Sequence, residues 1–455
     1  MRRSVALVLL FLSVVTAVAQ TGTLPIIYIE TEGRQPVSSK TEYLSATYFI
    51  VDSVNSEYNI GSQESPLPLD IRGRGHSSWR GNKKPYKIRL AAKAPLLGME
   101  SHRHWALLKF YEPTVAGLEL GKIMGMDWTA SAKPLEVVLN GKFLGLYLLT
   151  ETNRISSNRL DIFEQPDGNE DEELLPYGWL VEIDNYREDN QISIAENSKW
   201  TLRITVHSPD SMSQAQKNWL TDEFKRINSA IYAEDKTGST WEQMIDVDAM
   251  ARFFIIQEVM DNSDGFHGSF YLHKDWTEDS RWVAGPIWDL SSNQREKTDY
   301  TFRMKTSYSF TPHWIGELIK DDDFCAAVRQ AWDEFYPSEV DSWMEFISEH
   351  LSPCQEAYET DKKLWSYANQ NSLSARTENL KTALLANIEW FNNNLPEGLN
   401  NAIDDIDFAD KKVVRVEYVS MAGLRSSKPW PGINIKETFY TDGSTSTSKV
   451  IIKER

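Results

Sequence analysis

Leu135 to Glu151 reads LEVVLNGKFLGLYLLTE, two apolar runs separated by Asn140-Gly141. Asn-Gly suits the two central positions of a tight hairpin turn, where both residues need positive φ. The stretch therefore predicts an antiparallel hairpin. Upstream, LPIIYIET (24–31) and ATYFIVDS (46–53) are rich in β-branched and aromatic residues and flank the turn-like GRQPVSS, which predicts a strand pair. PYKIRL (85–90) alternates Tyr86, Ile88 and Leu90 with Lys87 and Arg89, and GWLVEID (178–184) adds another strand. Downstream the period changes. AMARFFIIQEVM (249–260), with Asp248 or a neighbour as its cap, begins a helical series: WIGELI (314–319), FCAAVRQAWDEFY (324–336), VDSWMEFISEHL (340–351) and TENLKTALLANIEWFNNNL (377–395). Their apolar residues recur every three or four positions, as an amphipathic helix requires. The fold class is α+β, a mixed sheet with following helices.

These patterns divide the chain into a main domain over 20–400, strand-rich to about 190 and helical from about 240, a polar linker over 401–412, and a β tail over 413–455. The tail carries VVRVEYVSMAGL, PGINI and KVIIK, with Asp442-Gly443 as a turn. It looks like the short C-terminal β-units of secreted Bacteroidetes-type proteins, for which a sorting role is expected; otherwise it is an extra hairpin on the main domain. Residues 1–20, MRRSVALVLLFLSVVTAVAQ, have two arginines, an apolar run and Ala17-Val18-Ala19 as a small-x-small cleavage site. That is the pattern of a signal peptide over residues 1–19, with a mature chain from Gln20. The apolar run is too short for a comfortable membrane span. The expected destination is the periplasm, the cell surface or the medium, with no integral membrane segment after signal removal.

The chain has 455 residues, 41% hydrophobic and 25% charged, a composition that excludes wholesale disorder and multispan membrane classes. Its 48 basic and 66 acidic residues leave a net charge of -18 without a segregated basic face, which argues against nucleic acid as a partner. Cys325 and Cys354 permit one disulfide or two quiet thiols, and neither has the neighbouring Cys or His of a zinc site.

Two clusters carry chemistry. Ile71 to Leu90, IRGRGHSSWRGNKKPYKIRL, joins a glycine-rich turn to a strand and brings together Arg72, Arg74, Arg80, Lys83, Lys84 and Lys87. Backbone N–H groups beside glycines, with guanidinium and ammonium heads, suit an anion such as phosphate. The bland alternative is a hairpin with a basic rim. Alternation places Lys84 on the face of Tyr86 and Ile88, and Lys87 with Arg89 on the other; if the apolar face lines a cleft, Lys84 has the inward head. Gln257 to Asn293 is the second cluster. There a helix is expected to end in Asp261, Asn262 and Asp264, and the strands FYLHK and WVAGPIW follow, the second ending in Asp289. Carboxylates and an amide at such positions can hold a divalent cation and orient a hydroxyl. They can equally be helix and turn caps, and His267 and His273 read as structural.

Taken in order, IRGRGHSSW, KKPYKIRL, LNGKFLGLYLLTE, GWLVEID, DNSDGFHGSFYLHKD and GPIWDL resemble the CotH kinase family, named after spore coat protein H, over roughly Leu24 to Leu395. The resemblance implies an atypical protein-kinase-like fold that transfers the γ-phosphoryl of ATP, with Mg²⁺ or Mn²⁺, to Ser/Thr of secreted or surface proteins. By motif position it assigns phosphate binding to Arg74 and Lys84, with Lys87 and Arg72 beside them. Glu151 or Glu182 would position a lysine or metal, Asp264 would orient the nucleophile, and Asp289, with Asn262 near it, would bind metal. The chain also departs from the family. Ser291 stands where a second acid of an Asp-x-Asp is usual, and WALLKFYEPTVAGLELGKIMG lacks the usual Arg-Asn pair. The alternative is a non-catalytic, pseudokinase-like surface or adhesion protein that binds an anionic or glycan ligand.

Overall fold

The computed structural model describes residues 22–184, 186–197, 200–233, 240–262, 264–277, 280–293, 297, 300, 314–398, 413–420, 424–428, 430, 432–440 and 445–452. The expected signal peptide, the 401–412 linker and the Asp442-Gly443 turn lie outside them. The chain separates into two compact units between Pro396 and Glu397.

The first unit begins with a closed barrel. Its strands are β1 (Ile26–Thr31), β2 (Leu44–Val51), β3 (Leu67–Gly73), β4 (Tyr86–Ala94), β5 (His102–Lys109), β6 (Ala132–Leu139) and β7 (Lys142–Glu151). A short helix α1 (Ser77–Arg80) lies between β3 and β4, and α2 (Glu112–Ile123) between β5 and β6. The barrel order is β1-β2-β3-β4-β5-β7-β6. Neighbours are antiparallel except at the closure, where β1 runs parallel to β6 with Ile26 opposite Glu136. The Asn-Gly hairpin is present as read. Asn140 and Gly141 have φ of 53° and 75°, and the Asn140 side chain accepts the N–H of Thr31 at 2.8 Å, tying the turn to β1. Alternate residues point into the barrel: Ile27, Ile29, Tyr48, Ile50, Leu69, Ile71, Ile88, Leu90, Trp105, Leu107, Tyr147 and Leu149 form one buried cluster. Each such side chain contributes roughly 1.5–3 kcal/mol by leaving water.

A second sheet follows, built from β8 (Trp179–Ile183), β9 (Gln191–Asn197), β10 (Trp200–Ser208), β11 (Phe270–Lys274) and β12 (Val283–Ala284), in the order β12-β11-β8-β10-β9. Helices α3 (Gln214–Ile231) and α4 (Val247–Val259) connect its strands. Trp179, Val181 and Ile183 of β8 join the core formed with α3 and α4. Leu180 belongs to a separate small cluster with Tyr271, on the opposite face. The helical series then runs α5 (Trp314–Leu318), α6 (Asp322–Phe335), α7 (Val340–Leu351), α8 (Gln355–Trp365) and α9 (Leu373–Asn393). Asp246, two residues before the expected Asp248, caps α4 by accepting the N–H of Ala249 at 2.8 Å. Cys325 and Cys354 are buried and not joined by a disulfide. No helix among the described residues is long and apolar enough to cross a membrane.

The second unit is an antiparallel sheet of β13 (Val413–Ser420), β14 (Arg425–Ser426), β15 (Gly432–Tyr440) and β16 (Thr445–Ile452), ordered β14-β13-β15-β16. The architecture is α+β. It differs from the expected single mixed sheet in two ways: the N-terminal strands close on themselves, and β8 to β12 form a sheet of their own.

Candidate functional site

The glycine-rich turn is shaped by what packs under it. A Cβ on Gly73 would lie 2.4 Å from the Trp79 ring, and one on Gly75, where φ is +82°, would lie 2.1 Å from the Ser78 hydroxyl. Glycine is therefore required for α1 to fold back beneath the end of β3. Arg74 leaves this turn with its guanidinium 5.3 Å from the Trp288 ring centroid. Burial lowers its pKa, and Asp289, Tyr271 and Glu182 act in the other direction, so all three lie within electrostatic reach.

On β4, Tyr86, Ile88 and Leu90 fill the barrel interior, so the cleft is on the outer face, with Lys87. This corrects the expectation for Lys84. That side chain is half-buried, donates to the Trp79 carbonyl at 2.5 Å and lies 4.9 Å from the Trp79 ring centroid. Lys87 instead faces like charges. Burial, then Arg154, Arg72 and Arg74, push its ammonium down to about 7. Arg72, opposite Lys87 across the ladder, donates to the Lys40 carbonyl and lies over the Tyr43 ring, so it contributes field from the edge.

The facing wall is the second sheet. β10 alternates Leu202, Ile204 and Val206 into the core, which leaves Thr205 and His207 on the opposite face. Thr205 and Tyr271 are both in register with Glu182, and His207 stacks on Tyr271 with centroids 5.1 Å apart. Glu182 accepts from His207 Nε2 at 2.7 Å. Burial alone would raise the Glu182 carboxyl, but hydrogen bonds from His207, Tyr271 and the Ser269 N–H hold it below its ordinary value. The Tyr271 hydroxyl is pushed well up by burial and by Glu182. Arg154 closes this side 3.9 Å from Asp210.

Asp289 enters from the loop after β12. The expected strand WVAGPIW is limited to Val283–Ala284, because Gly285 takes φ +119° and Pro286 has no N–H for a ladder. The loop is pinned against α2: a Cβ on Gly117 would lie 2.6 Å from Leu290, and one on Gly121 2.3 Å from Ile287. These two glycines, one turn apart, form the groove that seats Ile287 and Leu290. Asp289 stands between those anchors with φ 53°, a conformation Asp tolerates better than most residues. It is open to solvent, yet enough protein surrounds it for burial to raise its carboxyl. Arg74 lowers it in opposition, while Glu182 and Asp264 raise it further. Asp264 has an exposed carboxylate with Oδ1 3.5 Å from His267 Nε2.

The structure thus groups Arg74, Lys87, Glu182, Asp264 and Asp289. Other candidates are bonded differently. Glu151 is buried, accepts the Ser131 N–H at 2.8 Å and pairs with Arg159; its other charged neighbours are Lys122 and Glu100 rather than the residues of this group. Asn262 is 1% exposed and acts as a cross-link. Its amide donates to Gln257 at 2.8 Å and its oxygen accepts from the Ser291 hydroxyl at 2.8 Å, which leaves that oxygen one further lone pair. His207, Tyr271 and Arg154 were not anticipated. The alternation of β10 signals that His207 lies opposite Ile204 and Val206, but only the register with β8 brings it to Glu182.

Chemically, Arg74 joins a cationic group that includes Lys87 to an acidic group of Glu182 and Asp289. Asp289 fits a hard divalent cation, since burial, Glu182 and Asp264 raise the cost of ionising it and a cation offsets that cost. Lys87 and Arg74 fit phosphate oxygens, because an anion relieves the repulsion around Lys87. A family model described as CotH kinase protein matches residues 71–391, more than half of the chain and including every residue of this cleft. No curated protein matches the chain.

Proposed function

The chain belongs to the CotH kinase family, and we propose that it is an exported kinase-like enzyme that transfers the γ-phosphoryl of ATP to Ser/Thr hydroxyls of secreted or surface proteins. The observation that carries this reading is the position of Arg74, within electrostatic reach of Lys87 on one side and of Asp289 and Glu182 on the other. Lys87 and Arg74 bind phosphate oxygens, and Lys87 regains its proton as they arrive. Asp264, exposed at the cleft, orients the acceptor hydroxyl and takes its proton. Glu182 is held ionised by His207 and Tyr271, so it positions Arg74 electrostatically and is a poor general acid. Mg²⁺ or Mn²⁺ held by Asp289 would neutralise charge on the phosphates.

One observation favours nucleotide binding without transfer: Ser291 occupies the place of a second acid and donates its hydroxyl to Asn262. Radiolabel transfer from γ-labelled ATP, to a panel of secreted proteins and to the chain itself, separates the readings. Asp264→Ala is expected to abolish transfer with little loss of stability, because the side chain is exposed. Transfer that survives Asp264→Ala removes Asp264 from the chemistry. ATP binding without transfer in the wild type establishes the second reading.

A further inference from the structure

Two residues beyond Arg74, on the turn before α1, and two beyond Glu182, on the loop leaving β8, a separate set of side chains converges. One ligand atom from each of His76, Asp184 and Glu188 lies within 4.8 Å of the other two. His76 Nε2 is 3.0 Å from Glu188 Oε1. The imidazole stacks on Tyr186 with centroids 3.9 Å apart and planes 5° off parallel, and Asp184 Oδ1 accepts the N–H of Tyr186 at 3.1 Å. The ring and one carboxylate are therefore oriented by the same tyrosine, as ligands are oriented by their outer partners in metal sites.

We propose that His76, Asp184 and Glu188 form a divalent transition-metal site, of the Zn²⁺ or Mn²⁺ class, distinct from any ion at Asp289. An imidazole with two carboxylates matches these ions, whereas Ca²⁺ takes six to eight oxygens. With bonds of ~2.1 Å, tetrahedral ligand atoms stand roughly 3.4 Å apart. The His76–Glu188 edge is already that short, and rotation of exposed side chains closes the remainder. Two carboxylates this close repel without a cation between them. The ion would cross-link the glycine-rich turn to the loop after β8, joining two walls of the cleft at its rim. The site stands on its own geometry and does not depend on phosphoryl transfer.

The test uses the full chain stripped by a chelator and titrated calorimetrically with ZnCl₂ or MnCl₂, without nucleotide. A saturable site is expected that is weakened at least ~10-fold in His76→Ala and in Glu188→Gln and retained in Asp289→Asn. Loss only in Asp289→Asn, equal affinity in every variant, or no saturable binding overturns the assignment. Hydrogen exchange of the wild type with and without ion supplies a readout independent of variant folding. Slowed exchange at 74–80 and 186–188 is expected, and unchanged exchange there overturns the cross-link.

Discussion

Lys83 and Lys87, four residues apart, show two ways a protein holds a charge out of water. Lys83 is 4% exposed. It donates to Asp361 at 2.6 Å and to the Leu146 carbonyl, and lies 4.5 Å from the Tyr147 ring centroid. Burial brings its pKa to about 8 against the pull of Asp361. Lys87 reaches about 7 because arginines add to the burial. The first lysine is neutralised by its own fold and fastens α8 to β7. For the second, the like charges of Arg154, Arg72 and Arg74 outweigh the opposite charge of Asp210, so an anion from outside would relieve it. Buried charge alone does not mark a functional site; the sign of its neighbours does.

The largest effect expected from this contrast is on the Lys83 side. Asp361 also accepts the Leu146 N–H at 2.9 Å and the Tyr367 hydroxyl at 2.5 Å, and Gly145 leaves room for it, since a Cβ there would lie 2.1 Å from its Oδ1. Asp361→Ala strands a buried ammonium and is expected to cost about 3–5 kcal/mol, read by denaturant unfolding. A loss under ~1 kcal/mol would erase the distinction between the two lysines.

A smaller effect is expected where the cleft rests on packing. Gly117→Val drives a side chain into Leu290 and is expected to cost about 1–3 kcal/mol. It should also displace Asp289, so that ATP-dependent transfer falls by more than the unfolded fraction explains. Transfer that tracks only the folded fraction would show that Asp289 does not depend on the α2 groove.

Much of this was legible locally. Asn140-Gly141 announces its hairpin because the two positive φ values are a property of those residues alone, and helices α4 to α7 and α9 follow from their periodicity. Barrel closure is not local: the parallel pairing of β1 with β6 joins residues more than a hundred positions apart. The alternation of β4 correctly separates Lys84 from Lys87, but no pattern within one strand says which face meets a cleft. The apolar face went to the barrel interior and the basic face to the site. Arg74, Glu182, Asp264 and Asp289 were readable as chemistry-bearing residue types. Asn262 was readable too, and its side chain bonds Gln257 and Ser291. His207 required the register of β10 on β8, and the groove for Leu290 required α2 to dock on a loop about 170 residues downstream.

A further effect concerns Lys87 itself and separates the two lysines by pH. Its pKa is about 7 in the fold and ~10.4 in an unfolded chain. The destabilisation it contributes is fully present below about pH 7. Between the two values the unfolded state binds more protons, so stability rises with pH there. Lys87→Met should therefore be more stable than the wild type at neutral pH, with the advantage shrinking toward pH 10. Anion binding carries the opposite slope, because deprotonation removes a cation from the site. Pyrophosphate affinity is expected to fall about tenfold from pH 6.5 to 9 in the wild type, and to stay nearly flat in Lys87→Met at the weaker level. Parallel profiles for the two proteins would mean that Lys87 does not face the anion, and the cleft's cationic wall would then rest on Arg74 and Arg154.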